Sequence, residues 1–156
     1  MWNPFGRARV SAKAREDWYA ARQHPIGADC KRTVAAVGEF YRRPEGEAAA
    51  RRVVQGGTVA VLEPEPENPA DPFAVKVVVL GHHVGYLSAE HAREYHPVLE
   101  LAGAHGELLA TRVRTRIYET HVDGEEVGVN GFQLLLPTVV RATRELESAY
   151  GGTPVE

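Results

Sequence analysis

Residues 62 to 75 read LEPEPENPADPFAV, with prolines at 64, 66, 69 and 72. Proline fixes φ, lacks an amide donor and restricts the residue before it, so this stretch fits neither a helix interior nor a central strand. The runs on either side, TVAVLEP (58–64) and FAVKVVVLG (73–81), are rich in valine and read as strands. The chain therefore turns a rigid, acidic corner between two buried strands. Asn68 and Asp71 each precede a proline, and their side chains can bond nearby backbone amides, which aims the Asp71 carboxylate at the lip of a strand. An aimed acceptor suits a hydroxyl or an amine. It suits phosphate badly, because like charges repel.

The rest of the chain is read outward from that corner. Ser11 caps a helix to about Gln23, stopped by Pro25, with Trp18 as its packing anchor; an aromatic beside basic residues for stacking on a base is the second reading of Trp18. TVAAVGEFY (33–41) is a strand ending near Gly38, and PEGEAAARRVVQGG is a short helix closed by Gly56 and Gly57. HVGYL (83–87) is a further strand, reached through a turn at Gly81 and His82. Ser88 caps AEHAREY, Pro97 predicts a break, and Gly103 ends the segment. LLATRVRTRIYETHV follows, then turn signals at Asp123-Gly124 and Asn130-Gly131, then FQLLLPTVV as the final strand. Many short strands with few helices predict a mainly β (α+β) domain, a small β-barrel or strongly bent sheet with capping helices. The expected division is a basic helical extension (1–32), the barrel (33–140) and a helical or frayed tail (141–156).

Charge and composition exclude several classes. No run of about 18 apolar residues occurs and the N-terminus lacks a signal-peptide core, so a cytoplasmic protein without membrane contact is expected. Cys30 is alone, which excludes an internal disulfide and a thiolate zinc cluster. Residues 1–32 hold seven Lys/Arg against three acids, a net +4, and residues 33–156 hold eleven against eighteen, a net −7. A domain at −7 will not coat duplex DNA by general phosphate attraction, so binding by the core must be local and geometric. His91 and His96 lack the four-residue spacing that aligns two imidazoles on a helix, and His82-His83 is placed in the turn; solvated surface is the preferred reading for all seven histidines. No P-loop, dinucleotide fingerprint or nucleophile elbow appears, so the chain is read as non-enzymatic, without metal or cofactor.

The strand Thr111–Ile117 carries a sharper signal. Arg112, Arg114 and Arg116 alternate with Val113 and Thr115, so the arginines share one face at roughly 7 Å intervals. Such a comb can follow a single-stranded phosphate backbone, or it can pair with the acidic DGEE turn across the hairpin; the two stand level on sequence.

LEPEPENPADPFAVKVVVLGHHVGYLS resembles the HIRAN domain, whose pattern runs Pro, x, Asn-Pro-Tyr-Asp-x-Asn-Ala-Val/Ile, a strand, then Val-Gly-Tyr/His-Leu opening a helix. AAVGEFY is similar to the family's first strand and EHAREYHPVLE to the helix of bacterial members, so the resemblance covers about Val34 to Pro137. It implies a compact barrel related to the OB fold. In eukaryotic members joined to fork-remodelling helicases, the domain grips the 3′ end of single-stranded DNA, with the corner Asp accepting the terminal hydroxyl; that role falls on Asp71. Bacterial members also stand alone.

The chain departs from the pattern at Ala70, where the corner tyrosine that would stack on a terminal base is expected, at Phe73 in place of Asn, and at Ala89 in place of a helix-start lysine. A basic residue expected after the first Val-Gly is also absent, at Glu39 and Phe40. The resemblance implies Asp71 for the hydroxyl, Tyr41 and Tyr86 for stacking or pocket walls, Phe132 as a further wall, and Arg42 and Arg43 for phosphates; Lys76 and the three comb arginines follow as secondary candidates. The expected function is recognition of single-stranded DNA ends in repair or replication-fork processing. The alternative is a protein-interaction module that keeps the scaffold without end binding and docks a helicase or nuclease.

Overall fold

A computed structural model describes residues 11–38, 44–53 and 57–151, without the side chains of 44–48, 116–122 and 125–130. Helix α1 (Ala12–Ala20) leads into two short strands, β1 (Gln23–Pro25) and β2 (Thr33–Ala35), and helix α2 (Pro44–Val53) precedes β3 (Val59–Pro64), β4 (Val75–Val79) and β5 (His82–Tyr86). Helix α3 (Ala89–Ala104) then leads to the long hairpin β6 (Leu108–Val122) and β7 (Glu125–Leu135), followed by α4 (Val139–Ala149).

The strands hydrogen-bond in the order β2-β7-β6-β3-β4-β5, with β1 running parallel to the start of β6. Val37, just beyond β2, exchanges both backbone hydrogen bonds with Tyr86 of β5, each at 2.8 Å. That bridge joins the two ends of the strand order and curls the mostly antiparallel sheet into the OB-like α+β fold. Gly85 permits the seam: a Cβ there would lie 2.8 Å from the Val37 carbonyl oxygen.

Alternation along the strands sorts side chains to two faces. The inner face, with Leu62, Val77, Val84, Leu109, Phe132 and Leu134, forms the core. Tyr95 and Val98 of α3 and Ala142 and Leu146 of α4 pack against it. On the outer face, α1 covers Val61, Val78, Leu108 and Ala110. Its buried anchor is Tyr19, whose hydroxyl donates to Glu63 Oε1 at 2.8 Å; Trp18 is half-buried, with the Arg22 guanidinium 4.2 Å from its ring centre.

Several local expectations are corrected. The β4–β5 turn is Leu80-Gly81, with φ of 53° and 79°, so His82 and His83 belong to β5 and not to the turn. Helix α3 runs through Pro97 without ending. A proline removes one amide donor, and the burial of Tyr95, Val98, Leu99 and Ala102 along the same helix outweighs that loss. Asn130-Gly131 lies inside β7, opposite Ile117 and Arg116, because the hairpin turn is made by Asp123-Gly124 with φ of 52° and 81°. Residues from Val139 form a helix with Ala142 and Leu146 fully buried.

Candidate nucleic-acid interface

The corner between β3 and β4 is built by its own side chains. Asn68 Oδ1 accepts from the amides of Ala70 at 2.9 Å and Asp71 at 3.1 Å, and Asp71 Oδ1 accepts from the Phe73 amide at 2.9 Å. Two successive Asx turns thus hold the Asp71 carboxylate in one orientation, as the Asn-Pro and Asp-Pro pairs predict. Asp71 Oδ2 receives no hydrogen bond from the described residues.

Glu65 fastens this corner to the sheet. Its Oε1 accepts from Asn68 Nδ2 at 2.5 Å and from the Tyr86 hydroxyl at 3.2 Å. Burial, and then the Glu65 charge, raise the Tyr86 pKa, so its hydroxyl stays a donor. Lys76 stands between Glu63 at 3.2 Å and Glu65 at 3.8 Å. Lys76, a strand-path candidate on sequence, thus faces two carboxylates at the foot of the corner. A chain of polar contacts consequently runs from Tyr19 on α1 through Glu63, Lys76 and Glu65 to Asn68 and Tyr86. A shift of register between Val77 and Val78 brings His83 onto the face of Tyr86, edge to face at 4.7 Å. Burial, and then the Lys76 charge, lower the His83 pKa, and its Nε2 lies 2.9 Å from the Gly85 carbonyl.

An open pocket of about 240 Å³ lies between this corner and the start of α3, lined by Asn68, Ala70, Asp71, Tyr86, Ala89 and Ala92 among others. Ser88 caps α3, accepting from the His91 amide at 3.2 Å, so the positive end of the helix dipole borders the same pocket that Asp71 lines. Farther along that face of α3, Phe73 meets His96 edge to face at 4.9 Å and lies 5.8 Å from the Arg93 guanidinium. Sequence reasoning treated Phe73 only as a departure; it clamps the corner to α3 while remaining 37% exposed. Its place three positions before the lysine of β4 and its aromatic character were the available signal.

The other expected residues separate. Tyr41, Arg42 and Arg43 lie outside the described residues. Phe132, expected as a pocket wall, is 1% exposed and packs in the inner core from an inward position on β7. Arg112 and Arg114 are exposed on the outer face of β6 as the alternation predicts; the side chain of Arg116 is outside the description. In the ladder Arg114 lies opposite Gln133 and Arg116 opposite Gly131, while Glu125 and Glu126 lie opposite Val122 and His121 near the hairpin tip.

Among the described residues, no group of three or more His, Cys, Asp or Glu is placed to hold a metal ion, and no helix is long and apolar enough to cross a membrane. No curated protein and no solved structure matches the chain. The family model for the HIRAN domain matches residues 33–128, which takes in the corner, the Val37–Tyr86 seam, α3 and most of the β6–β7 hairpin. On that match, over most of its length, the chain belongs to the HIRAN-domain family.

Proposed function

We propose that the protein is a non-enzymatic module that binds single-stranded DNA by its 3′ end, with the terminal hydroxyl donating to Asp71. The observation that carries this reading is the orientation of Asp71 at the edge of a pocket, held by Asx turns and by Glu65, with Oδ2 left for a ligand. The surroundings are anionic, with Glu63, Glu65 and Asp71 against Lys76. Such a corner selects a donor and rejects a terminal phosphate. The N-terminus of α3 offers the complementary feature, a positive dipole end beside the pocket where the preceding phosphodiester would sit. Tyr86 supplies a pocket wall, and the HIRAN assignment supplies the class of ligand. Repair and fork processing are the settings in which such ends arise.

Fluorescence anisotropy with two matched oligonucleotides, one ending in a 3′ hydroxyl and one in a 3′ phosphate, tests this directly. The hydroxyl form is expected to bind about tenfold or more tightly, as for a hydrogen bond to a charged group, and Asp71→Ala is expected to abolish the difference. Absence of binding to either at low salt sinks the DNA reading and leaves the corner as a docking site for a protein partner.

A further inference from the structure

A second charged feature lies away from the corner. Asp29, Cys30, Lys31, Arg112, Arg114 and Leu135 line an open hollow on the outer face of the barrel. Its arginines are held by neutral groups: Arg112 Nη2 donates to the Cys30 carbonyl at 2.6 Å and Arg114 Nε to Gln133 Oε1 at 3.1 Å. Neighbouring Arg32 donates likewise to the carbonyls of Leu136 and Pro137, at 3.2 and 3.1 Å. Among the described residues, Lys31, Arg112 and Arg114 form no ion pair, whereas Lys13, Arg52, Lys76 and Arg141 each face a carboxylate. Among the described residues Asp29 is the hollow's one acid against Lys31, Arg112 and Arg114, so this part of the lining carries a net positive charge in a domain that is otherwise acidic. Each arginine is oriented by one donor and keeps the remainder of its five for a ligand.

Register connects this hollow to the corner. Tyr86 bridges Val37; Ala35, two residues back and on the same face, pairs with Gln133; Gln133 pairs with Arg114. Three strand spacings and one two-residue step give about 15 Å of sheet surface. Val37 is 44% exposed, Ala35 is exposed and Gln133 is neutral, so none of these route residues carries a carboxylate. In the opposite direction from Tyr86, the sheet presents Lys76 with its two glutamates and then the face covered by α1.

We propose that Lys31, Arg112 and Arg114 form a phosphodiester-binding subsite that holds the backbone of a single strand a few nucleotides from the end seated at Asp71. The subsite takes its place along the strand from the end-binding reading, and its affinity for phosphate from its own charge. It sets a footprint longer than the corner alone, within the roughly 4–16 nucleotides typical of an OB-type surface.

The test compares a trinucleotide and a decanucleotide, both with 3′ hydroxyls, by anisotropy across a salt series. The wild-type protein is expected to bind the longer strand about tenfold more tightly. In Arg112→Gln/Arg114→Gln that gain is expected to disappear and the log–log salt slope to fall by about 1.4, at about 0.7 per phosphate contact on a single strand, while the preference for a 3′ hydroxyl persists. Arg112→Lys/Arg114→Lys, which keeps the charge, is expected to retain the slope and controls for a folding defect. A Gln variant that keeps both the length gain and the slope overturns the subsite. If the wild-type protein ignores the end chemistry but loses its length gain in the Gln variant, the end-binding reading fails and the subsite stands; if it binds no strand at low salt, both fall.

Discussion

At the scale of single residues, the corner is held by Asx turns to backbone amides and by the Glu65 carboxylate. Phe73 holds it to α3 through His96 and Arg93. Aromatic pairs of this kind contribute about 0.5–1.5 kcal/mol beyond their buried area, so Phe73→Ala is expected to destabilise the fold by about 1–2 kcal/mol. A lowered midpoint in urea unfolding, without a change of slope, is the readout. His83 gives a pH signature. Its folded pKa lies below the unfolded value of 6.5, so the unfolded chain binds the proton first. Its contribution is complete above pH 6.5 and is lost as pH falls toward the depressed folded value. His83→Gln is expected to flatten that acid-side loss in thermal unfolding curves; an unchanged pH profile would contradict the assignment. The corner was the most legible part of the site, since Asn-Pro and Asp-Pro dictate Asx turns locally. The surroundings of Lys76 and Phe132 were not legible, because one depends on which carboxylates lie across β3 and the other on which face of β7 turns inward.

At the scale of elements, the seam and the helices decide whether the pocket exists. Gly85→Ala places a methyl group against the Val37 carbonyl, a backbone atom with little freedom to move. The expected cost is about 1–3 kcal/mol, as for overpacking, together with faster amide exchange at Val37 and Tyr86, whose mutual hydrogen bonds form the bridge. Exchange rates unchanged at both amides would show that the seam does not depend on the glycine. Leu146 of α4 is fully buried in the same core as α3, so Leu146→Ala is expected to cost about 2–5 kcal/mol and to lower the unfolding midpoint accordingly. Most strands could be read from valine-rich runs and turn residues. The misreadings arose where tertiary packing overrides local preference: α3 continues through Pro97, and Asn130-Gly131 stays in a ladder whose turn is set at Asp123-Gly124. The parallel pairing of β1 with β6 had no local signal, because it joins Gln23–Pro25 to residues more than eighty positions away.

At the scale of the whole molecule, charge is divided between two places on one barrel. The corner is acidic and aimed, and the hollow under the comb is basic and oriented by neutral acceptors. On the proposed reading, a strand bound by its end would satisfy both, with a donor for Asp71 and phosphates for the arginines, and an acidic domain would bind a polyanion without a general positive surface. The proposed function rests on contact between Asp71 and the terminal hydroxyl. A double-mutant cycle tests it most directly, pairing wild-type protein and Asp71→Asn with strands ending in a 3′ hydroxyl or a 3′ hydrogen. Asparagine keeps the side-chain oxygen that accepts from the Phe73 amide, so the corner stays formed. Each change alone is expected to weaken binding about tenfold or more, and the second to add little once the first is made, a coupling of about 1 kcal/mol or greater. Independent, additive effects would show that Asp71 and the hydroxyl do not meet.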